Sequence, residues 1–135
     1  MKASSTSFKA ACLFALAGIG MGIGMAASHD HTLMPAHAHL NLLGWVSLFL
    51  FGVYYRLHPM LETSRLAMTQ IVVWSVGTAF LTIGVAALHL GHAAFEPVAV
   101  VSSFLLLGAL GLFTLLVFRS DKLRQPVAPA MTPAE

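Results

Sequence analysis

The sequence predicts an all-α integral membrane protein, built as a four-helix up-down bundle. Of its 135 residues, 58% are hydrophobic and only 9% are Asp, Glu, Lys or Arg, whereas about 25% are charged in ordinary soluble domains. Four apolar segments follow one another, and each is long enough to cross a bilayer. This composition excludes a disordered chain and a soluble globular domain. The net charge of +2 gives no indication of a nucleic-acid partner.

The four predicted spans form one domain that covers residues 1–124. They lie at residues 8–27, 36–55, 66–89 and 98–118. A helix of about 20 residues rises roughly 30 Å, which is the thickness of the hydrocarbon core. Helices are expected because backbone N–H and C=O groups in lipid must be bonded within their own segment. Residues 125–135 contain three prolines and are expected to form a disordered cytoplasmic tail.

The first segment has a second interpretation as a secretory signal peptide. Lys2 and Lys9 precede an apolar stretch that ends near Ala26 and Ala27, as in a signal sequence. The stretch is long for a signal sequence, however, and it lacks a clean Ala-x-Ala cleavage site. We therefore expect a retained first helix, with cleavage after Ala27 as the alternative.

The basic residues predict how the bundle is oriented. With four crossings, all seven Lys and Arg residues fall on one face of the membrane, and the opposite loops contain Asp30 and Glu96 instead. Loops on the cytoplasmic side carry the excess of Lys and Arg. Both termini are therefore expected in the cytoplasm, with the chain in a bacterial inner membrane.

The histidines gather at the opposite, periplasmic end of the predicted bundle. Neutral imidazole binds haem iron, copper and zinc, and ionisable groups at membrane depth indicate a site. Only His58 lies on the cytoplasmic side. The sequence therefore predicts a bound cofactor or metal near the outer surface, although histidines that merely cap helices or face water remain the alternative. The candidate metal ligands are His29, His31, His37, His39, His89 and His92.

Spacing predicts which of these side chains act together. His89 and His92 are three residues apart and are expected to share one helical face. His37 and Asn41 are four residues apart and also share a face. His39 points about 200° away from His37 if both are helical. One regular helix therefore cannot direct both His37 and His39 at a single metal.

The stretch Met34–Pro59 resembles a helix of subunit I in the haem–copper oxidase superfamily, closest to the nitric oxide reductase branch. His39, Leu40 and Asn41 match the His-x-Asn pattern of that helix. The residues that follow in matching order are Trp45, Gly52, Tyr54, Tyr55 and Pro59. The whole chain is also similar to small four-helix proteins described as cytochrome c oxidase subunit I-like. It has far fewer spans than subunit I, and it lacks the family's His-His pair for the active-site copper.

The resemblance implies one low-spin haem b with His39 as an axial ligand. It does not imply reduction of oxygen or nitric oxide, because the histidines of that active site are missing. The second axial ligand would be His89 or His92. Together with the spacing argument, the candidate cofactor-binding residues are His39, His89, His92, His37 and Asn41.

Three functions are compatible with the sequence. The first is an inner-membrane haem b protein with a periplasm-side bis-histidine site, which acts in electron transfer or as an accessory subunit. Its partner would be a respiratory complex or a periplasmic redox protein. The second is a periplasm-side copper or zinc protein in metal handling or oxidase assembly, and the third is a structural subunit without a cofactor. No nucleophile motif, P-loop or HExxH pattern indicates independent catalysis.

The first segment carries two overlapping G-x-x-x-G patterns, Gly18/Gly22 and Gly20/Gly24. Small residues let membrane helices approach one another closely. The glycines predict either tight packing inside the bundle or a homo-oligomer contact through one of the pairs. The two pairs lie on different sides of the helix, so both explanations can hold. Three later glycines either leave room for a flat porphyrin ring or serve ordinary helix packing: Gly44, Gly84 and Gly91.

Overall fold

A computed structural model describes residues 2–123, which form helices joined by short turns. A 3₁₀ turn, Ala93–Phe95, precedes the last helix. No β-strand occurs between residues 2 and 123, and the predicted tail at 125–135 lies outside the described residues. The helices are α1 (Ala3–Ser28), α2 (Met34–Leu57), a single turn α3 (Pro59–Glu62), α4 (Arg65–His89) and α5 (Glu96–Leu123).

Four of these helices, α1, α2, α4 and α5, are long and apolar enough to cross a membrane. They contain the four segments predicted from the sequence and extend a few residues beyond them at most ends. A helix of 25 residues, such as α4, is ~37 Å long, which exceeds the ~30 Å of a hydrocarbon core. The predicted all-α class is therefore confirmed.

Helices α1 and α2 run antiparallel and pack through glycines of α2. The ring of Phe8 lies against Gly52, and the ring of Phe14 lies against Gly44. A Cβ atom at Gly44 would lie only 2.6 Å from the Phe14 ring. Gly44 therefore serves helix packing, which was one of its two predicted roles, and leaves no room there for a porphyrin.

Helices α4 and α5 also run antiparallel and in close contact. A Cβ atom at Gly84 would lie 2.9 Å from the backbone nitrogen of Ala99. At the middle of α4, Gly77 packs against the side chain of Leu106. The backbone of α5 thus lies directly against Gly84, so this glycine too is used for packing.

Helix α2 joins the two helix pairs through polar and aromatic contacts. The Trp74 indole of α4 donates to the carbonyl oxygen of Leu43 at 2.9 Å. Near the other end of α2, the Tyr55 hydroxyl donates to Gln70 Oε1 at 3.0 Å. Phe51 meets the Trp74 ring edge-on, with centroids 5.0 Å apart. These contacts hold α2 between α1 on one side and α4 on the other.

Helix α2 is not a regular α-helix over its whole length. Residues Leu40–Ser47 form a π-helical segment, which begins immediately after His39. Side chains donate hydrogen bonds to several backbone carbonyls of this region. Besides Trp74 to Leu43, the Ser47 hydroxyl donates to Leu42 O at 2.8 Å. Such segments commonly occur at functional sites, and nothing in the sequence predicted this one.

The antiparallel order gives the bundle two chemically different ends. We call the basic end the one that carries Lys2, Arg56, Arg65 and Arg119. There the Glu62 carboxylate accepts hydrogen bonds from the amide and hydroxyl of Ser4 in the first turn of α1, a position where the helix dipole favours negative charge. The Arg56 guanidinium lies 3.7 Å from the same carboxylate. The other end, reached by the last turn of α1, the start of α2 and the last turn of α4, is the histidine end.

Candidate functional site

The loop between α1 and α2 exposes two of the predicted ligands, His29 and His31. His29 ends α1 in a left-handed conformation with φ of +56°. Between the two histidines, Asp30 Oδ1 accepts hydrogen bonds from the Thr32 hydroxyl at 2.6 Å and its amide at 2.9 Å. These bonds lower the pKa of the Asp30 carboxyl from its ordinary value. The Asp30 carboxylate therefore stabilises the turn between α1 and α2 through its bonds with Thr32.

His37 and Asn41 face α1. A Cβ atom at Gly22 would lie 3.1 Å from His37 Cε1, and one at Gly18 would lie 2.5 Å from Asn41 Oδ1. The Asn41 amide donates to the carbonyl oxygen of His37 at 2.9 Å and lies 3.3 Å from its ring Nδ1. The Gly18/Gly22 pattern is thus used inside the bundle, where it accommodates these two polar side chains.

The second glycine pair of α1 has no such role within the chain. Nothing lies within 4 Å of a Cβ atom built at Gly20 or Gly24. The homo-oligomer contact predicted for this pair therefore stays a prediction, while Gly18 and Gly22 are unavailable for it.

His39 points away from α1, as its angular separation from His37 predicted. It lines a cavity of about 370 Å³ on the surface of the bundle, more open than enclosed, together with residues of α2, α4 and α5. The residues that share this His39 cavity are Ala38, Leu42, Leu43, Leu81, Ser103 and Leu106. The volume falls within the range of small-molecule sites, roughly 300–1,000 Å³. Its walls are aliphatic apart from His39 and Ser103, and the Ser103 hydroxyl already donates to Ala99 O at 2.9 Å.

The imidazole of His39 is held by one backbone hydrogen bond. Its Nδ1 lies 2.7 Å from the carbonyl oxygen of Pro35, and a carbonyl can only accept, so Nδ1 carries the proton. In the neutral imidazole, Nε2 is then the nitrogen with the free lone pair. Histidines that ligate metals commonly donate their other ring N–H to a backbone carbonyl in this way. His39 therefore has the tautomer of a ligand to iron, copper or zinc.

His89 is the last residue of α4 and lies beyond the His39 cavity. Its Nδ1 is 2.9 Å from the carbonyl oxygen of Val85, so it has the same tautomer as His39. It is exposed and is not among the residues that line the cavity. Leu81, which does line it, precedes His89 by eight residues, or ~12 Å along the helix axis.

His92 does not lie on α4. The helix ends at His89, and Gly91 has a left-handed φ of +88°. The His92 amide donates to Ala87 O at 2.9 Å, and the Gly91 amide donates to Leu88 O at 3.0 Å, which is the Schellman pattern of helix termination. The prediction that His89 and His92 share one helical face is therefore wrong. Gly91 was the signal for this chain reversal.

The six histidines do not converge on one point. Among the described side chains, those of residues 2–120, no three of His, Cys, Asp or Glu lie close enough together to hold a metal ion. His37 faces α1, His39 faces the cavity, and the other four are exposed. The geometry singles out His39, with His89 as the second imidazole of the same tautomer.

Sequence reasoning missed the contribution of α5 to the site. Ser103 and Leu106 form part of the cavity wall, yet α5 carries no histidine and offered no chemical pattern to notice. The signal available was indirect: Leu106 packs against Gly77 of α4, and a glycine in an apolar helix indicates a close neighbour.

No protein-family model matches this chain, and neither a curated protein nor a solved structure matches it. Its function is therefore inferred from the His39 site itself.

Proposed function

We propose that this protein is a multi-pass protein of the bacterial inner membrane that binds haem b through His39 near the periplasmic face. It would act in electron transfer or as an accessory subunit of a respiratory complex. The observation that carries the proposal is the His39 imidazole, whose Nδ1 is fixed by Pro35 O at 2.7 Å while the side chain lines an aliphatic cavity.

His39 and the aliphatic residues of its cavity could hold a haem from one side, through one iron ligand and contacts with the porphyrin. An imidazole with a free Nε2 is the ligand that haem iron commonly takes, and aliphatic walls suit the apolar faces of a porphyrin. The bond from Nδ1 to Pro35 O fixes the ring and increases the basicity of Nε2. The haem would supply reversible one-electron chemistry at its iron, and the protein would bind it through His39 and the aliphatic cavity wall.

Of the two candidates for a second ligand, His89 rather than His92 would help to hold the haem, and it would have to move toward the His39 cavity to do so. His89 also has its Nδ1 bonded to a backbone carbonyl, that of Val85, and it belongs to the helix that contributes Leu81 to the cavity. His92 follows the chain reversal at Gly91. Asn41 and His37 would support the site indirectly, because they set the packing of α2 against α1.

The orientation that we propose places the basic end in the cytoplasm. Lys2, Arg56, Arg65 and Arg119 lie at that end, whereas Asp30 and Glu96 lie at the histidine end. This distribution follows the positive-inside rule. The His39 cavity would then lie in the periplasmic half of the membrane, and the electron-transfer partner would be a respiratory complex or a periplasmic redox protein.

Haem reconstitution tests the proposal. The purified protein in detergent is titrated with haem, and binding is followed by the Soret band for wild type, His39→Ala and His58→Ala. His58 is a matched control, because its Nδ1 makes the same contact with a backbone carbonyl, Tyr54 O at 2.7 Å, at the opposite end of the bundle. We expect stoichiometric haem b binding by wild type and His58→Ala, and its loss in His39→Ala.

Two results would overturn the proposal. One is equal haem binding by His39→Ala and wild type, which would remove the assigned ligand. The other is stoichiometric copper or zinc in the protein as purified, measured by mass spectrometry, without any binding of haem.

A further inference from the structure

The buried face of α4 carries three polar atoms with no hydrogen-bond partner among the described residues. They are Gln70 Nε2, Thr78 Oγ1 and Thr82 Oγ1. The side chains are inaccessible or nearly so, with 0% exposure at Thr78 and 6% at Thr82. Buried polar atoms in native proteins almost always have a protein or water partner. Three orphans on one helix therefore require an explanation.

Several other hydroxyls of α4 and α5 donate to a carbonyl oxygen of their own helix. Ser75 donates to Ile71 O at 2.8 Å, and Ser102 donates to Val98 O at 2.7 Å. Thr114 does the same with Leu110 O at 2.9 Å. Thr78 and Thr82 could make the equivalent bond and do not. Their hydroxyls are therefore free for a partner in the interior of the bundle.

Thr78 and Thr82 are placed to share that partner. They are four residues apart in a continuous α-helix, so they lie one turn apart on one face. Leu81, the residue before Thr82, lines the His39 cavity. The pair therefore lies in the half of α4 that reaches the His39 cavity.

Gln70 is a separate case nearer the basic end. Its Oε1 already accepts from the Tyr55 hydroxyl at 3.0 Å, and Trp74, between Gln70 and Thr78, is engaged with Leu43 O. Eight residues of helix, or ~12 Å, separate Gln70 from Thr78. One small ligand cannot bridge that distance.

We propose that Thr78 and Thr82 form an internal binding site for ordered water between the helices. Water is the ligand that fits, because a hydroxyl both donates and accepts and because no ionised side chain is among the described buried groups near the pair. Buried water typically makes about three hydrogen bonds to otherwise unsatisfied groups. This inference is independent of haem and stands if His39 binds no cofactor.

Water-edited solid-state NMR on the protein in lipid bilayers tests the site. We expect magnetisation transfer from water to the Thr78 and Thr82 side chains, and much weaker transfer to Thr114, whose hydroxyl is bonded within its own helix. Transfer to Thr78 and Thr82 no stronger than to Thr114 would overturn the proposal.

Replacing each threonine with valine, which has nearly the same shape, gives a second test. The unfolding midpoint should fall if the hydroxyls bind water and rise if they have no partner. If water binds the pair, Thr78→Val or Thr82→Val removes one of its partners, and each should lower the unfolding midpoint by roughly 4 °C. If the hydroxyls are orphaned, replacing them with methyl groups should raise the midpoint. Thr114→Val, at an exposed threonine whose hydroxyl is bonded within its own helix, is the control. An unchanged or higher midpoint for either Thr78→Val or Thr82→Val would contradict the proposal.

Discussion

The tautomer of His39 comes from a local bond that the chain uses three times. In His39, His58 and His89 the ring Nδ1 contacts the carbonyl oxygen four residues earlier, at 2.7, 2.7 and 2.9 Å. Their surroundings differ. His58 stacks on Tyr54 with centroids 4.0 Å apart, and His89 is exposed, whereas His39 lines a cavity. The cavity, and not the hydrogen bond, therefore identifies the site.

The lowered pKa of the Asp30 carboxyl makes the stability of its turn depend on pH. Bonds from the Thr32 hydroxyl and amide stabilise the ionised carboxylate and lower its pKa. A depressed pKa means that these bonds stabilise the turn above the ordinary pKa of the group, and that this contribution is lost as the pH falls through the lowered value. An NMR titration of the Asp30 carboxyl should give a pKa below the ordinary 3.8.

Thr32→Val is the control for this titration. It removes the hydroxyl donor and leaves the amide, so the pKa of Asp30 should move back toward its ordinary value. A wild-type carboxyl that titrates at or above that value would show that the turn is not formed.

At the scale of elements, close packing between helices depends on individual glycines. Gly84 lets α4 approach the backbone of α5, because an added Cβ would lie 2.9 Å from the Ala99 nitrogen. We expect Gly84→Ala to reduce the free energy of unfolding by ~1–3 kcal/mol, since backbone must move to accommodate the methyl group. Denaturant unfolding in detergent measures this.

Gly108→Ala is the matched variant for that experiment. Nothing lies within 4 Å of a Cβ atom at Gly108 in α5, and alanine is the better helix former by about 1 kcal/mol. This variant should be unchanged or slightly stabilised. Equal losses at Gly84 and Gly108 would contradict the packing described for α4 and α5.

The π segment Leu40–Ser47 depends on support from a neighbouring helix. The Trp74 indole donates to Leu43 O within this segment. Trp74→Phe keeps an aromatic ring but leaves the carbonyl without this donor, so we expect a loss of ~1–3 kcal/mol in the free energy of unfolding. Trp45→Phe is the control, because Trp45 is 45% exposed. An equal effect of both substitutions on the unfolding midpoint would argue against this support.

Particular residues show how far the sequence could predict this structure. The apolar spans and the separation of Arg56 from His39 followed from hydropathy and spacing, because both depend only on local composition. The π segment did not, because its hydrogen-bond register depends on partners such as Trp74 that are distant in sequence. Ser103 of α5 was missed for the same reason, whereas Gly91 carried a local signal that His92 lies outside the helix.

At the scale of the whole molecule, the charge distribution predicts the orientation. We expect both termini in the cytoplasm, because the Lys and Arg residues of the described helices lie at one end of the bundle. Green fluorescent protein fused after residue 135 should fluoresce, and alkaline phosphatase fused at Asp30 should be active. Phosphatase activity at the C-terminus combined with none at Asp30 would show the opposite orientation.

The visible absorption spectrum of the wild-type protein tests the central claim most directly. The protein is purified from cells supplied with ample haem, and the spectrum is recorded before and after reduction, with the pyridine haemochrome assay to identify the haem. We predict a Soret band and the reduced absorption bands of haem b. A colourless protein with no Soret band would contradict the assignment of His39 as a haem ligand.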